Sequence, residues 1–128
     1  MPVILTFDLE QASQAEHNRL QSLFQRLGWE DLGGSSYRYP RLGTKEKVED
    51  WFNHVVPALM LFRNYLLKSN RKLTGYTLDI QSSAGYNPGR KFGKPPLSAS
   101  KVSLYTPTRK TFGVKKLKQW LADDRFPY

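Results

Sequence analysis

The sequence contains no cysteine, so it can form neither a disulfide nor a thiolate metal site, which fits a cytoplasmic protein. It has only two histidines, and because no second His or Cys stands at metal-ligand spacing, we interpret His54 as a packed or surface residue. No apolar run approaches the roughly 18 residues of a membrane span. Asp8 and Glu10 interrupt the first apolar run, so we expect neither a signal peptide nor a membrane span.

Acidic residues are scarce in the second half of the chain. Residues 1–68 hold 8 Lys or Arg and 8 Asp or Glu, whereas residues 69–128 hold 12 and 3, which accounts for the whole net charge of +9. A charge asymmetry of this kind indicates a polyanionic partner, most often nucleic acid. The alternative is that the excess charge only keeps the chain soluble.

The length of 128 residues and the 39% hydrophobic content predict a single domain spanning residues 1–128. The apolar run 3–7 predicts a strand that ends at Asp8, and Ser13 with Glu16 predicts a capping box at the start of a helix that closes at Gly28. Residues 35–39 alternate like a second strand.

A long helix follows, with Thr44 as its N-cap and an apolar stripe that continues to Leu66. Pro57 lies inside this stripe and lacks a backbone donor, so we expect a kink or a break between Asn53 and Pro57. Residues 73–81 predict a further strand with Tyr76 and its alternate apolar neighbours on one face.

Residues 82–100 have no regular pattern and carry only positive charges, which predicts a long basic loop. Arg90, Lys91 and Lys94 alternate there with Tyr86 and Phe92, an arrangement that suits a phosphate backbone and a stacked base. The alternative is a tolerated insertion with solvated charges.

Residues 101–128 predict a strand and a short helix as a C-terminal extension. Leu117 and Leu121 belong to the apolar face of the helix, and Lys115, Lys116 and Lys118 occupy the rest. Such a basic amphipathic helix could lie on nucleic acid or on an anionic membrane. It could equally cap the sheet and expose its lysines to water.

The resulting order predicts an α+β fold, namely a ferredoxin-like βαββαβ sandwich with a basic loop and a short C-terminal helix. This topology requires residues 29–42 to form a hairpin. The helices would then cover one face of an antiparallel sheet and leave the other face free to dimerise or to bind.

Four short motifs carry a resemblance to a known family. They are an apolar strand ending in Phe7-Asp8-Leu9, a helix closing on Leu27-Gly28-Trp29, the segment 36–39, and Arg41-Leu42. Over residues 3–42 the chain resembles the small nuclease-like subunit of CRISPR spacer acquisition and virulence-associated protein D, a toxin ribonuclease. The resemblance implies a homodimer of ferredoxin-like subunits.

In that family the Asp that ends the first strand faces its symmetry mate across a cleft, which implies that Asp8 is catalytic. Two such carboxylates could hold Mg²⁺, which would activate water and neutralise charge on a phosphodiester. Glu10 is a second candidate metal ligand. Ser36, Tyr37 and Arg38 would lie along the second strand near the same cleft, where Arg38 or Arg41 would contact phosphate. An Asp at a strand end is also common as a turn former or a cap.

Three functions remain open from the sequence, and whether the protein is an enzyme is left undecided. The first is a small dimeric protein that binds the phosphate backbone of DNA or RNA through its basic C-terminal half. The second is a Mg²⁺-dependent endonuclease or toxin ribonuclease that uses Asp8, and the third is an interaction module for an acidic protein. No cofactor other than this Mg²⁺ is expected. The candidate nucleic-acid contacts are Arg38, Arg41, Arg90, Lys91, Lys94, Lys101, Arg109, Lys110, Lys115, Lys116 and Lys118, with Tyr37, Tyr86 and Phe92 for stacking.

Overall fold

The computed structural model describes residues 3–39, 48–80 and 103–123 of the chain. In chain order the elements are β1 (Val3–Leu9), α1 (Gln14–Arg26), β2 (Glu30–Gly33), β3 (Ser36–Tyr39), α2 (Val48–Asp50), a π-helical segment (Trp51–Val55), α3 (Val56–Ser69), β4 (Leu73–Ile80), β5 (Tyr105–Thr106), β6 (Thr111–Phe112) and α4 (Val114–Asp123). The protein is therefore a mixed α+β structure, as the sequence predicts.

The strands β1 to β4 form one sheet in the order β2-β3-β1-β4, and each neighbouring pair is antiparallel. Alternation in β1 decides which residues are buried, because successive side chains of a strand point to opposite faces. Val3, Leu5 and Phe7 are buried in the core with α1 and α3, whereas Thr6 and Asp8 are exposed on the other face. The predicted strand thus continues past Phe7 and contains Asp8.

The capping box predicted for α1 is present. The backbone N–H of Glu16 donates to the Ser13 hydroxyl at 3.2 Å, and the Glu16 carboxylate accepts the Ser13 backbone N–H at 2.8 Å. The apolar face of the helix buries Leu20, Leu23 and Phe24. Gly28 follows the helix with a φ of +89°, a conformation that glycine adopts without steric cost. The chain then turns to enter the β2–β3 hairpin.

Glu16 also connects the start of α1 to Tyr65 of α3 and to Arg71 in the segment that follows α3. Its Oε1 accepts a hydrogen bond from the Tyr65 hydroxyl at 3.1 Å and an ion-paired one from Arg71 Nε at 2.7 Å. The Ser13 backbone N–H, Arg71 and Tyr65 all favour the ionised carboxylate, and together they lower the pKa of Glu16 to about 2. This carboxylate therefore stays charged over most of the acid range.

Residues 48–69 form one long helix, because the backbone is right-handed helical on both sides of the π-helical segment, at Asp50 and Val56. The sequence predicts a kink or a break between Asn53 and Pro57, whereas the structure has a π-helical turn at Trp51–Val55, in which an extra residue widens one turn of a continuous helix. Pro57 has no N–H and so cannot bond to the carbonyl of Asn53 four residues back. None of the helices in the described ranges has the length and apolar character needed to cross a membrane.

The end of the described chain departs from the sequence prediction. The last predicted strand, 101–106, is described only from Ser103, where Tyr105 and Thr106 alone are in strand conformation. These residues pair with β6, which the sequence did not indicate, in a separate two-stranded sheet. Strands are predicted from the alternation of apolar and polar residues, and two residues are too few to show such an alternation.

Candidate nucleic-acid interface

The β5–β6 hairpin and α4 form a positively charged surface that we name the C-terminal basic unit (residues 103–123). Its hairpin turn contains Arg109 and Lys110, and its helix contains Lys115, Lys116 and Lys118, all of which are exposed. The sequence from 103 to 122 includes no Asp or Glu. Residues 103–122 therefore carry five exposed cations and no carboxylate.

Asn53 attaches this unit to the long helix. Its buried side-chain oxygen accepts hydrogen bonds from the backbone N–H groups of Leu104 at 2.6 Å and Tyr105 at 2.7 Å. The carbonyl of Leu104 in turn accepts the N–H of Gly113 at 2.6 Å, which joins the two ends of the hairpin. Leu104 and Leu117 complete the attachment by burying their side chains in the core.

Aromatic rings surround the same attachment point. Phe52 in the π-helical segment packs with its ring centroid 5.4 Å from Tyr105 and 5.3 Å from Phe112. The side chains on both strands of the hairpin thus contact one residue of the long helix. Rings in this range of separation stabilise each other beyond the area that they bury.

The far end of α4 is held by two polar side chains of α3. Asn64 donates to the carbonyl of Leu121 at 2.9 Å, and Lys68 Nζ donates to the carbonyls of Leu121 at 2.7 Å and Ala122 at 2.9 Å. These carbonyls lie at a helix C-terminus, where backbone acceptors lack intrahelical partners and a positive charge is favourable. Both ends of the C-terminal basic unit are therefore fixed to the long helix.

One of the helix lysines is also positioned by an aromatic ring. The Nζ of Lys116 lies 5.3 Å from the ring centroid of the half-buried Trp120, one turn further along α4. The remaining helix lysines, Lys115 and Lys118, extend into solvent with no carboxylate of the described residues paired to them. The helix therefore offers ammonium groups that are available to an anionic ligand.

The candidate metal ligands Asp8 and Glu10 are both exposed near the end of β1. Asp8 is exposed in β1 opposite Gly75 of β4, with the hydroxyls of Thr6 and Ser36 in the neighbouring row of the same face. Glu10 is exposed in the turn after β1, where its backbone N–H donates to the carbonyl of Lys72. In the described part of the chain, no three His, Cys, Asp or Glu side chains are grouped so as to hold a metal ion. Carboxylate oxygens of this kind are the ligands that Mg²⁺ prefers.

The Arg38 guanidinium and the Tyr37 ring have partners within the protein, at the positions where the sequence predicts contacts to nucleic acid. Arg38 is 6% exposed, and its guanidinium forms an ion pair with Glu30 of the adjacent strand, with Nε 2.8 Å from the carboxylate. Tyr37 is 4% exposed, and its ring stacks on Phe24 with centroids 4.4 Å apart. The structure thus gives Arg38 a carboxylate partner within the sheet, and it gives the Tyr37 ring a protein partner where a base was expected.

Seven candidate contacts predicted from the sequence lie outside the described residues. They are Arg41, Tyr86, Arg90, Lys91, Phe92, Lys94 and Lys101. The five candidates that the structure brings together are those of the C-terminal basic unit.

Sequence reasoning missed Asn53 and Lys68, which position the C-terminal basic unit. Asn53 carries a signal that could have been used, because it is a polar residue within an apolar stripe and one turn before a proline. Lys68 stands in the sequence as a positive charge near the end of its own helix, whereas in the structure it bonds to the end of another helix. Comparisons with protein-family models, with curated proteins and with solved structures each found no match, so the resemblance stated above stays a prediction.

Proposed function

We propose that the protein binds the phosphate backbone of DNA or RNA, with the C-terminal basic unit as its contact surface. The observation that carries this proposal is the set of five exposed cations on a unit that has no carboxylate from 103 to 122 and is fixed at both ends. Cations held on a rigid support lose less conformational entropy on binding than cations on a flexible tail. Binding would release counterions from the nucleic acid, which is the main source of affinity for such surfaces.

Arginine and lysine would make different contacts with a phosphate backbone on this surface. Arg109 in the hairpin turn can donate two parallel hydrogen bonds to one phosphate, whereas Lys115 and Lys118 act as point charges on adjacent turns of α4. Contacts of this type fix the position of a nucleic acid but do not read its sequence. We therefore expect binding that tolerates many sequences.

We propose a ferredoxin-like βαββαβ topology for the first 80 residues. Support comes from the sequence of elements through β4 and from the antiparallel strand order β2-β3-β1-β4, in which two helical connections cross over the same face. The C-terminal basic unit would be an addition to that topology.

We also propose that the protein is a homodimer. Support comes from β4, an edge strand of eight residues that leaves Tyr76 66%, Leu78 39% and Ile80 48% exposed. In the part of the chain that the structure describes, no strand pairs with the outer edge of β4, and apolar side chains on such an edge favour pairing with another strand. Light scattering of the chain and of a Leu78→Lys variant tests this, since a dimer formed through β4 should dissociate in the variant. A monomer at all concentrations would contradict the proposal.

Fluorescence anisotropy with labelled single- and double-stranded DNA and RNA tests the binding proposal. Affinity should fall steeply between about 50 and 200 mM salt, and replacing Lys115 and Lys118 by Gln should reduce the slope of log K against log salt by roughly 1 for each phosphate that the variant no longer neutralises. The matched control is Lys72→Gln, an exposed lysine before β4 that lies outside the basic unit. An equal decrease in affinity in the variant and the control would reject the basic unit as the contact surface.

The same titration, repeated with Mg²⁺, distinguishes nucleic-acid binding from the two alternatives, a Mg²⁺-dependent endonuclease and an interaction module for an acidic protein. Cleavage of the probe only with Mg²⁺, abolished by Asp8→Asn while binding remains, would favour the endonuclease. An absence of binding to every probe at about 0.1 M salt, where screening limits charge attraction to about 10 Å, would favour an acidic protein partner.

A further inference from the structure

A polar cavity lies between α1 and the β2–β3 hairpin, on a side of the molecule that the proposed function does not use. Its volume is about 290 Å³, close to the lower end of the range for ligand pockets and sufficient for one planar ring system. The side chains that matter here come from one face of the helix and from the hairpin: His17, Gln21, Asp31, Ser35 and Tyr37.

Tyr37 supplies an unpaired donor to this cavity. The residue is 4% exposed, and its ring is held between Phe24 and Phe7 with centroids 4.4 and 6.0 Å away. Its hydroxyl makes no hydrogen bond to the described residues, so it can donate one to a ligand in the cavity. Burial and the negative charge of Asp31 both raise the pKa of Tyr37, so the hydroxyl remains a donor at neutral pH.

Asp31 supplies the acceptor on the opposite strand. It is paired with Tyr37 across the hairpin, and its Oδ1 accepts the N–H of Gly33 at 2.8 Å. A carboxylate has about four acceptor positions, so most of its capacity is still available to a ligand.

The hairpin turn places a third polar group at the rim. Gly33, Gly34 and Ser35 have φ values of +88°, +56° and +61°, and the Ser35 hydroxyl lies 3.4 Å from His17 Nδ1. Gly34 and Ser35 are the two loop residues of the hairpin, and positive φ at both is the conformation of an ordinary type I′ turn. This contact directs one ring nitrogen of His17 to Ser35 and leaves the other for a different partner.

We propose that this cavity binds a guanine base. Guanine presents two adjacent N–H donors on one edge, which match the Asp31 carboxylate, and carbonyl and ring-nitrogen acceptors on the other, which match the Tyr37 hydroxyl and the Gln21 amide. Adenine lacks the ring N–H on that edge. Uracil and thymine have a single N–H donor.

A guanidinium ligand, such as an arginine side chain, fits the cavity less well. It would satisfy Asp31, but it has no acceptor atom, so the O–H of Tyr37 and the NH₂ of Gln21 would gain no partner from it. It would also approach a chain whose net charge is already +9. The unpaired donor is therefore the feature that favours guanine.

The base could belong to a free nucleoside or to a nucleic-acid strand, and the experiment separates these sources. Calorimetric titrations of the full chain would use guanosine, inosine, adenosine and N-acetyl-arginine amide, together with short single-stranded oligonucleotides that contain one guanine or none. We expect saturable binding of guanosine, weaker binding of inosine because it lacks the amino group, and none of adenosine. Binding of free guanosine identifies the nucleoside as the source, whereas binding only of the guanine-containing strand identifies the strand.

Two conservative variants test the assigned groups. Asp31→Asn reverses one hydrogen bond to the base but can still accept the Gly33 N–H, and Tyr37→Phe removes only the hydroxyl. Each should weaken guanine binding by about tenfold or more, while Asp8→Asn on the other face of the sheet should leave it unchanged. Thermal unfolding of each variant confirms that it is folded.

Three results would overturn the inference: no saturable binding of guanosine or of the guanine strand, equal binding of adenosine, or tighter binding of the arginine amide. Retained guanine binding in both folded variants would also overturn it. None of these measurements depends on Lys115 or Lys118. A negative result for guanine binding in the cavity can therefore be distinguished from a negative result for nucleic-acid binding by the C-terminal basic unit.

Discussion

The side-chain oxygen of Asn53 accepts a 2.6 Å hydrogen bond from the backbone N–H of Leu104, 51 positions further along the chain. This bond lies in the one stretch of the long helix that is not α-helical. The positions of the candidate nucleic-acid contacts therefore depend on a residue that makes no contact with a ligand itself.

Replacing Asn53 by Ala should lower the free energy of unfolding by about 2 kcal/mol, because the buried N–H of Leu104 and the partly buried N–H of Tyr105 lose their shared acceptor. Urea unfolding measures the decrease. The matched control, Asn64→Ala, should cost less, since the Leu121 carbonyl that it contacts still accepts from Lys68. Similar decreases for the two variants would show that Asn53 has no special role.

Replacing Arg38 by Ala should destabilise the protein by about 3 kcal/mol, because removal of one partner leaves Glu30 charged and largely buried. Chemical unfolding measures this change, and Arg63→Ala, an exposed arginine of α3, serves as the control. If the variant kept the stability of the original protein but bound nucleic acid more weakly, Arg38 would be a nucleic-acid contact, as the sequence predicts.

Replacing Glu16 by Gln should destabilise the protein at neutral pH and do so progressively less in acid. The pKa of Glu16 is about 2 in the folded chain and 4.5 in the reference state, so its stabilising effect is complete above 4.5 and disappears as the pH falls towards 2. Thermal midpoints of both proteins across this range measure the difference. In an Arg71→Gln background the same substitution should cost less, because the ion-pair partner is absent.

Acidification below the ordinary histidine range should destabilise the protein through His54. Burial lowers the pKa of this ring, although the Asp50 carboxylate and the Leu27 carbonyl oppose the shift. Above pH 6.5, the pKa of His54 in the unfolded chain, the ring is neutral in both states and does not affect stability. As the pH falls below 6.5, the unfolded chain binds the proton more readily than the folded chain, so the folded state is destabilised. His54→Phe keeps an aromatic ring against Tyr39, 5.5 Å away, and should reduce the slope of stability against pH. An identical slope in both proteins would contradict this.

Local sequence signals predicted some parts of this structure well. Ser13 and Glu16 form the expected capping box because capping depends on residues three positions apart. The irregularity in the long helix follows from the missing N–H of Pro57, which is also a local property. The alternation in residues 36–39 correctly indicated a strand.

Predictions that required knowledge of non-local packing were less complete. Alternation places Tyr37 and Arg38 on opposite faces, but it cannot say that Tyr37 packs on Phe24 or that Glu30 pairs with Arg38 across the hairpin. The two-residue strands β5 and β6 are defined by pairing with each other and by Asn53. No pattern within 103–112 contains that information, so the support of the basic surface became visible only in three dimensions.

The widened turn at Trp51–Val55 has a consequence for the order in which the chain folds. The long helix can form early from local contacts, whereas the Asn53 contact must close a loop of about 50 residues, whose entropic cost has to be met before docking is favourable. Residues 103–123 should therefore join the structure after the rate-limiting barrier, and Asn53→Ala should accelerate unfolding while leaving the refolding rate nearly unchanged. The surface that we propose to bind nucleic acid would then be the last part of the described chain to assemble and the first to detach.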